Sequence, residues 1–213
     1  MSYKSYRPTI ERPLRPHDLL RVVSPSSLVF RQQAPEWVGA AMQRAPYVVI
    51  RRAHIDNGLL PVGIRGSARR ERFAACLPED AIQAVARPED IAALRSWETS
   101  PPTIPISLAL DLVEDLFREF TWGPTGSVGF QLASGSAVTT SESDLDILVR
   151  TPYWLSQETA QRLQRALTAS PVRVDVQLET PAGAVALSEY AHRSDQFLVR
   201  TLDGARFIED PWS

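Results

Sequence analysis

Two aspartates, Asp144 and Asp146, stand one residue apart in SDLDILVR, a segment that is otherwise mostly apolar. On a β-strand alternate residues share a face, so these carboxylates would point the same way while Leu145 and Ile147 face the core. Two like charges on one face are unfavourable unless a cation lies between them. Mg²⁺ prefers carboxylate oxygens and completes its coordination with water and substrate phosphate. The pair therefore predicts a site for a divalent cation and a phosphorylated substrate.

A second alternating segment, VRVDVQLET at residues 172–180, offers a third carboxylate at Asp175. If its strand neighbours the first, Asp144, Asp146 and Asp175 form a cluster able to hold two metal ions. Such ions lie roughly 3.5–4 Å apart and stabilise both the entering and the leaving oxygen of an in-line displacement at phosphorus. The sequence thus predicts a two-metal Mg²⁺ site with these three aspartates as ligands and catalytic groups.

The segment GPTGSVGF lies upstream of the acidic pair and suits phosphate binding. Glycine lets backbone amides approach a phosphate closely, and the start of a following helix adds a favourable dipole. We expect Gly126 and Ser127 to hold the departing diphosphate, with Gly135-Ser136 as the alternative turn. In GIRGSARRERF, Arg65 and Arg69 form either a basic rim for an anionic substrate or partner, or part of a solvated helix face.

The elements that must position these residues indicate an α+β fold. Three prolines in WETSPPTIPI suggest a linker between a small N-terminal α/β domain (1–97) and a catalytic domain (106–213) with a mixed sheet. Apolar spacing predicts helices over 106–120 and 156–169, the second capped by Ser156. A helix is also expected to open at Ser67 and end at Pro78.

Composition narrows the class of partner. The chain has 213 residues and a net charge of −2, so no overall field attracts nucleic acid or an anionic membrane. No apolar run is long enough to span a bilayer, and the single cysteine, Cys76, has no partner for an internal disulfide. We expect a cytoplasmic protein that binds neither nucleic acid nor membrane.

The order of these motifs resembles the nucleotidyltransferase superfamily of DNA polymerase beta. There a Gly-Ser turn precedes an Asp-x-Asp pair, and a later strand supplies a third aspartate. The resemblance assigns Gly126 and Ser127 to the turn, Asp144 and Asp146 to the metal pair and Asp175 to the third position. The stretch between Ser127 and Asp144 is longer than is usual there, which keeps Gly135-Ser136 as the alternative.

Longer strings in both halves are similar to the malonate decarboxylase holo-acyl-carrier-protein synthase family, whose members are phosphoribosyl-dephospho-CoA transferases. The strings are RPHDLL, LLPVGIRGSARRERFAACL, WGPTGSVGFQLASG, SDLDILVR, VRVDVQLETPAGAVALSEYA and DPW. The resemblance implies transfer from 2′-(5-triphosphoribosyl)-3′-dephospho-CoA to a serine of the apo acyl carrier subunit of malonate decarboxylase, with release of diphosphate. It further implies that Asp144 and Asp146 bind Mg²⁺ and the triphosphate. Asp175 would help to activate the serine, as a metal ligand or as a general base.

Two other functions are compatible with the same residues. One is a nucleotidyltransferase that uses ATP on a small molecule or on another protein. The other is a non-catalytic module with a nucleotidyltransferase-like fold, which would typically have lost one of the three carboxylates. Since all three are present in this chain, the sequence favours an enzyme.

Overall fold

The computed structural model describes residues 12–68, 70–99, 101–192 and 194–213. The chain divides into two compact units, Met1–Arg87 and Pro88–Ser213. This boundary corrects the sequence prediction, which assigned 88–97 to the first domain. Ala92 and Trp97 belong to the hydrophobic core of the second unit, so the segment 88–97 is part of that unit rather than of the first.

The first unit is built on an antiparallel sheet with the order β4-β3-β2-β1-β5. Its elements in chain order are β1 (Leu19–Val22), α1 (Trp37–Arg44), β2 (Tyr47–Ile50), β3 (Leu59–Arg65), β4 (Arg72–Pro78) and β5 (Ile82–Ala86).

The helix predicted from Ser67 is wrong, because Arg72–Pro78 is strand β4 and pairs along its length with β3. Phe73, Ala75 and Leu77 alternate into the core of the first unit. That spacing has the period of two of a strand rather than the period of a helix.

The second unit begins with helices α2 (Pro88–Ala93), α3 (Ser96–Thr99) and α4 (Ile104–Phe117). Its strands and later helices are β6 (Thr121–Pro124), α5 (Gly126–Ser134), β7 (Leu145–Arg150), α6 (Gln157–Ala166), β8 (Val174–Thr180), β9 (Gly183–Ala186), α7 (Leu187–Ala191), β10 (Phe197–Thr201) and β11 (Gly204–Ile208).

The sheet of the second unit has the order β11-β10-β9-β8-β7-β6. Strands β7 and β8 are parallel and are joined through α6, whereas the other neighbours are antiparallel. Together with the antiparallel sheet of the first unit, this mixed sheet confirms the predicted α+β fold.

One face of the mixed sheet carries the core. Leu145, Ile147 and Val149 of β7 are buried together with Val176 and Leu178 of β8, as alternation predicts. Helix α4 covers this core with a row of fully buried apolar residues, namely Ile106, Ala109, Leu110, Val113 and Phe117. The residues between these positions on β7 and β8 are directed to the opposite face. Among the described residues, no helix combines the length and apolar character needed to cross a bilayer.

Candidate functional site

The structure brings two of the predicted carboxylates together through strand register. Asp146 of β7 and Asp175 of β8 are direct partners across the parallel pair. Register partners on neighbouring strands point to the same face, so both carboxylates lie on the side of the sheet away from the core. Asp144 immediately precedes β7 and, like Asp146, is half-buried.

The Gly126 turn lies directly against the Asp146 side chain. Gly126 has a φ of +58°, and a Cβ atom at this position would overlap Asp146 Oδ2. Both the backbone conformation and the close approach therefore require glycine. Thr125 holds this turn against the backbone of Asp146. Its backbone N–H and its hydroxyl both donate to the Asp146 carbonyl, at 2.8 and 3.3 Å.

Helix α5 begins at Gly126, so its first amides and the positive end of its dipole lie beside this carboxylate. Ser127 is buried in the first turn. The alternative turn is at the opposite end, where Gly135 (φ +72°) is the left-handed C-cap. A helix C-terminus presents carbonyl oxygens and a partial negative charge. A phosphate is therefore better accommodated at Gly126-Ser127 than at Gly135-Ser136.

Arg173 places a cation among the three aspartates. Its Nε and one terminal nitrogen lie 3.0 and 2.9 Å from Asp175 Oδ1. The pKa of the Arg173 guanidinium is raised, first by the hydrogen bond and charge of Asp175 and then by the charges of Asp144 and Asp146. All three carboxylates thus act on one guanidinium.

The donor set suits a hard divalent cation, because it consists of carboxylate oxygens beside a cradle that only glycine permits. Within the part of the chain that the structure describes, however, no group of three or more His, Cys, Asp or Glu side chains is arranged closely enough to hold a metal ion. Arg173 lies beside this donor set, and its guanidinium is paired with Oδ1 of Asp175. A cation that takes Oδ1 of Asp175 as a ligand therefore displaces this guanidinium.

Gln131 organises the connection from α5 to the acidic strand. Its side-chain oxygen accepts hydrogen bonds from Val138 N, Thr139 N and Thr139 Oγ1, at 2.9, 2.9 and 2.8 Å. Thr140 and Ser143 close the following turn through a hydrogen bond from Thr140 N to Ser143 Oγ of 2.9 Å. The sequence analysis assigned no role to Gln131 or Arg173. Alternation in VRVDVQLET does place Arg173 on the same face as Asp175, which was the available signal for their contact.

The predicted basic residues lie in the first half of the chain. Arg65 is the last residue of β3, is half-buried and pairs in register with Arg72. Arg69 lies outside the described residues. The contribution of both arginines to substrate binding stays a prediction.

Comparison with protein-family models gives two matches. Residues 15–88 match the N-terminal domain of phosphoribosyl-dephospho-CoA transferase MdcG, and residues 93–211 match the C-terminal domain of the same family. The gap between the matches adjoins the unit boundary at Arg87–Pro88.

Curated relatives carry the same description. The phosphoribosyl-dephospho-CoA transferase of Pseudomonas putida strain GB-1 is 42% identical over 201 residues, covering 93% of this chain and 95% of the relative. The proteins of that name from Pseudomonas aeruginosa and Azotobacter vinelandii are each 39% identical, over 92% and 93% of this chain and 93% and 94% of their own lengths. No solved structure gives a significant match.

Proposed function

The chain belongs to the phosphoribosyl-dephospho-CoA transferase family, and we propose that it attaches this prosthetic group to a serine of an apo acyl carrier protein. It is a transferase, as its relatives are. The proposed donor is 2′-(5-triphosphoribosyl)-3′-dephospho-CoA, and the proposed acceptor is the carrier subunit of malonate decarboxylase. We place the reaction in the cytoplasm, in keeping with a chain that has one cysteine.

One observation carries the chemical part of the proposal. Asp146 and Asp175 are register partners on parallel strands, and the amino end of α5 lies against Asp146 at Gly126. Carboxylates for cation binding and amides for phosphate binding are therefore adjacent in one unit. This combination suits displacement at the phosphorus of a substrate whose leaving group is diphosphate.

The proposed reaction forms one phosphorus–oxygen bond and breaks another. The serine oxygen of the carrier attacks the phosphorus attached to the ribose, the bond to the terminal diphosphate breaks, and diphosphate leaves with the electron pair. Asp175 accepts the serine proton as a general base or lowers the pKa of that hydroxyl as a metal ligand. The amides at Gly126 and Ser127 bind the departing diphosphate, and Arg65 and Arg69 are proposed to contact the triphosphate.

Asp144 and Asp146, with Asp175, are the residues that would hold Mg²⁺. When bound, Mg²⁺ would neutralise charge on the triphosphate and on the leaving diphosphate. The chain itself positions the carboxylates, because Thr125 and Gly126 fix the backbone and the side chain of Asp146. Where the cation takes Oδ1 of Asp175 as a ligand, Arg173 leaves this carboxylate, and a phosphate of the donor is a suitable new partner for its guanidinium.

The decisive experiment measures the intact mass of the purified apo carrier after incubation with this protein, Mg²⁺ and the donor. We expect the carrier mass to rise by one phosphoribosyl-dephospho-CoA group and diphosphate to appear in equal amount. Labelling of the carrier from ATP alone would instead identify an ordinary nucleotidyltransferase. No labelling from either substrate would contradict the proposal.

Asp146→Asn tests the site within the same assay. Loss of one charged ligand should lower the transfer rate about a thousandfold, equivalent to about 4 kcal/mol of transition-state stabilisation. Asp115→Asn is the matched control, because Asp115 is an exposed carboxylate on α4. A transfer rate of Asp146→Asn equal to that of the control would exclude Asp146 from the chemistry.

A further inference from the structure

A cavity of about 230 Å³ lies in the first unit, on strands β3 and β4 and the segments beside them. Its floor includes Pro61, Ala74 and Cys76, whereas Leu60, Val62 and Ile64 of β3 belong to the core. Because strand residues alternate, the floor is the second face of this sheet. None of the residues proposed for phosphoryl transfer lines the cavity.

Small side chains keep this face hollow. Pro61 pairs with Cys76 and Gly63 with Ala74 across the β3–β4 hairpin. A Cβ atom at Gly63 would lie 3.3 Å from Val49 Cγ1 and 3.6 Å from Arg51 Cδ, so the Arg51 stem lies beside the glycine. The result is a shallow apolar floor with an arginine along its edge.

Two arginines converge on this floor. Arg31 and Arg51 line the cavity beside His54, and Asp56 is the one carboxylate among the lining residues. Arg31 forms an ion pair of 2.5 Å with Asp56. Hydrogen bonds to Asp56 and then to the Cys76 thiol raise the pKa of the Arg31 guanidinium, which therefore reaches from the rim to the floor.

The Arg51 side chain is exposed and makes no hydrogen bond or ion pair with any residue that the structure describes. With Arg31 shared between Asp56 and Cys76, the lining residues that the structure describes carry two guanidinium groups and one carboxylate, an excess of positive charge. Single exposed arginines are ordinary, but convergent cations over a concave apolar floor are typical of a site for a ligand with an anionic group and an uncharged body.

We propose that this cavity binds a phosphopantetheine arm, with its phosphate against Arg31 and Arg51 and its amide chain along Pro61, Ala74 and Cys76. The inference rests on the proposed function, which supplies two sources of such an arm: the free donor and the prosthetic group of a loaded carrier. The described lining contains no Phe, Tyr or Trp side chain, and His54 is its one aromatic ring. A slender arm that needs only a phosphate contact and an apolar floor therefore suits the cavity better than adenine, and the nucleotide serves as the competing ligand in the test.

The test is calorimetric titration of the full chain with 4′-phosphopantetheine, pantetheine and adenosine 5′-monophosphate, in the absence of divalent cations. We expect 4′-phosphopantetheine to bind at least about tenfold more tightly than pantetheine, the ratio typical of one charge-assisted contact. Equal affinities, or tighter binding of the nucleotide, would overturn the inference.

Variants then locate the binding. Arg51→Gln should weaken 4′-phosphopantetheine binding about tenfold, and Ala74→Leu should abolish it by filling the cavity from an exposed strand position. Arg44→Gln is the control, because Arg44 is an exposed arginine of the first unit that does not line the cavity. Unchanged binding in Arg51→Gln would overturn the inference, even if Ala74→Leu failed to fold.

Cys76 provides an independent readout because it is the single cysteine of the chain. Bound 4′-phosphopantetheine should slow alkylation of its thiol, whereas an unchanged alkylation rate at saturating ligand would place the ligand elsewhere. The transfer assay separates the two sources. A raised KM for the donor in Arg51→Gln identifies the donor's arm. Inhibition of wild-type transfer by added loaded carrier that Arg51→Gln relieves identifies the carrier-bound arm.

Failure of this inference is distinguishable from failure of the proposed function. Binding of the arm is measured without transfer, and transfer is measured with the unaltered chain. If the unaltered chain catalyses transfer and the cavity variants still bind 4′-phosphopantetheine normally, the inference alone is contradicted. Absence of wild-type transfer would contradict the proposed function.

Discussion

At the scale of single residues, Arg173 decides how the acidic cluster behaves before any cation binds. Three carboxylates on one face repel one another, and the guanidinium at 2.9 Å from Asp175 offsets that repulsion. The same guanidinium competes with a divalent cation for Asp175. Arginine suits this role because its guanidinium stays protonated throughout the physiological pH range.

We predict that Arg173→Gln raises the affinity of the chain for Mn²⁺ about fivefold, since a competing positive charge is removed from the site. Titration monitored by electron paramagnetic resonance of free Mn²⁺ measures this without any transfer reaction. Arg162→Gln, at an exposed position of α6, is the control and should bind Mn²⁺ as the wild type does. Weaker Mn²⁺ binding in Arg173→Gln would show that Arg173 supports the carboxylates rather than competing at them.

At the scale of elements, the connection between α5 and β7 positions Asp144, the residue immediately before β7. Gln131 anchors that connection through one side-chain oxygen that accepts three hydrogen bonds. Replacement by alanine leaves two backbone N–H groups and a hydroxyl without this acceptor. The connection should then move more freely, because its remaining bonds are local ones such as that of Thr140 with Ser143.

We predict that Gln131→Ala lowers the transfer rate about tenfold and the free energy of unfolding by about 1–2 kcal/mol. Hydrogen exchange should become faster at residues 136–143, and the rate loss should appear in kcat. Gln131→Glu keeps an acceptor oxygen and should recover most of the protection. If exchange in this segment is the same for alanine and glutamate, Gln131 does not organise the loop.

Elements with strong local signals were predictable from the sequence. Helix α6 begins after Ser156, whose hydroxyl accepts a hydrogen bond of 3.1 Å from Thr159 N, and the alternation of β8 places Asp175 on its polar face. Strand β4 was missed because its local residues permit a helix, and its pairing with β3 decides the outcome. Alternation also indicates that Asp146 and Asp175 share a face, and the register of β7 and β8 shows this, whereas their role as metal ligands stays a prediction. The sequence analysis missed Gln131, whose role depends on hydrogen bonds formed only after the connection folds back.

At the scale of the whole molecule, each unit has its own hydrophobic core. In the first unit a buried ion pair, Asp18 with Arg87, lies beside the paired strands β1 and β5. Asp18 is fully buried, accepts a hydrogen bond of 3.0 Å from Arg15 N and lies 3.9 Å from the Nε of Arg87. Arg87 is the last residue of the unit and also donates a hydrogen bond of 3.0 Å to the Arg12 carbonyl. The pair thus links the residue before β1 to the residue after β5.

Removal of one partner from a buried pair leaves the other charge buried without its counter-ion, which is more costly than losing the attraction itself. We therefore predict that Asp18→Ala lowers the free energy of unfolding by about 3 kcal/mol, measured by urea titration. Hydrogen exchange should show the loss of protection in β1, β2 and β5, the strands at and beside this pair. Asp80→Ala removes an exposed carboxylate of the same unit and should change stability by less than about 0.5 kcal/mol. Equal stability of the two variants would mean that water solvates the Arg87 guanidinium without Asp18. Packing of the apolar core would then account for the stability of this part of the unit.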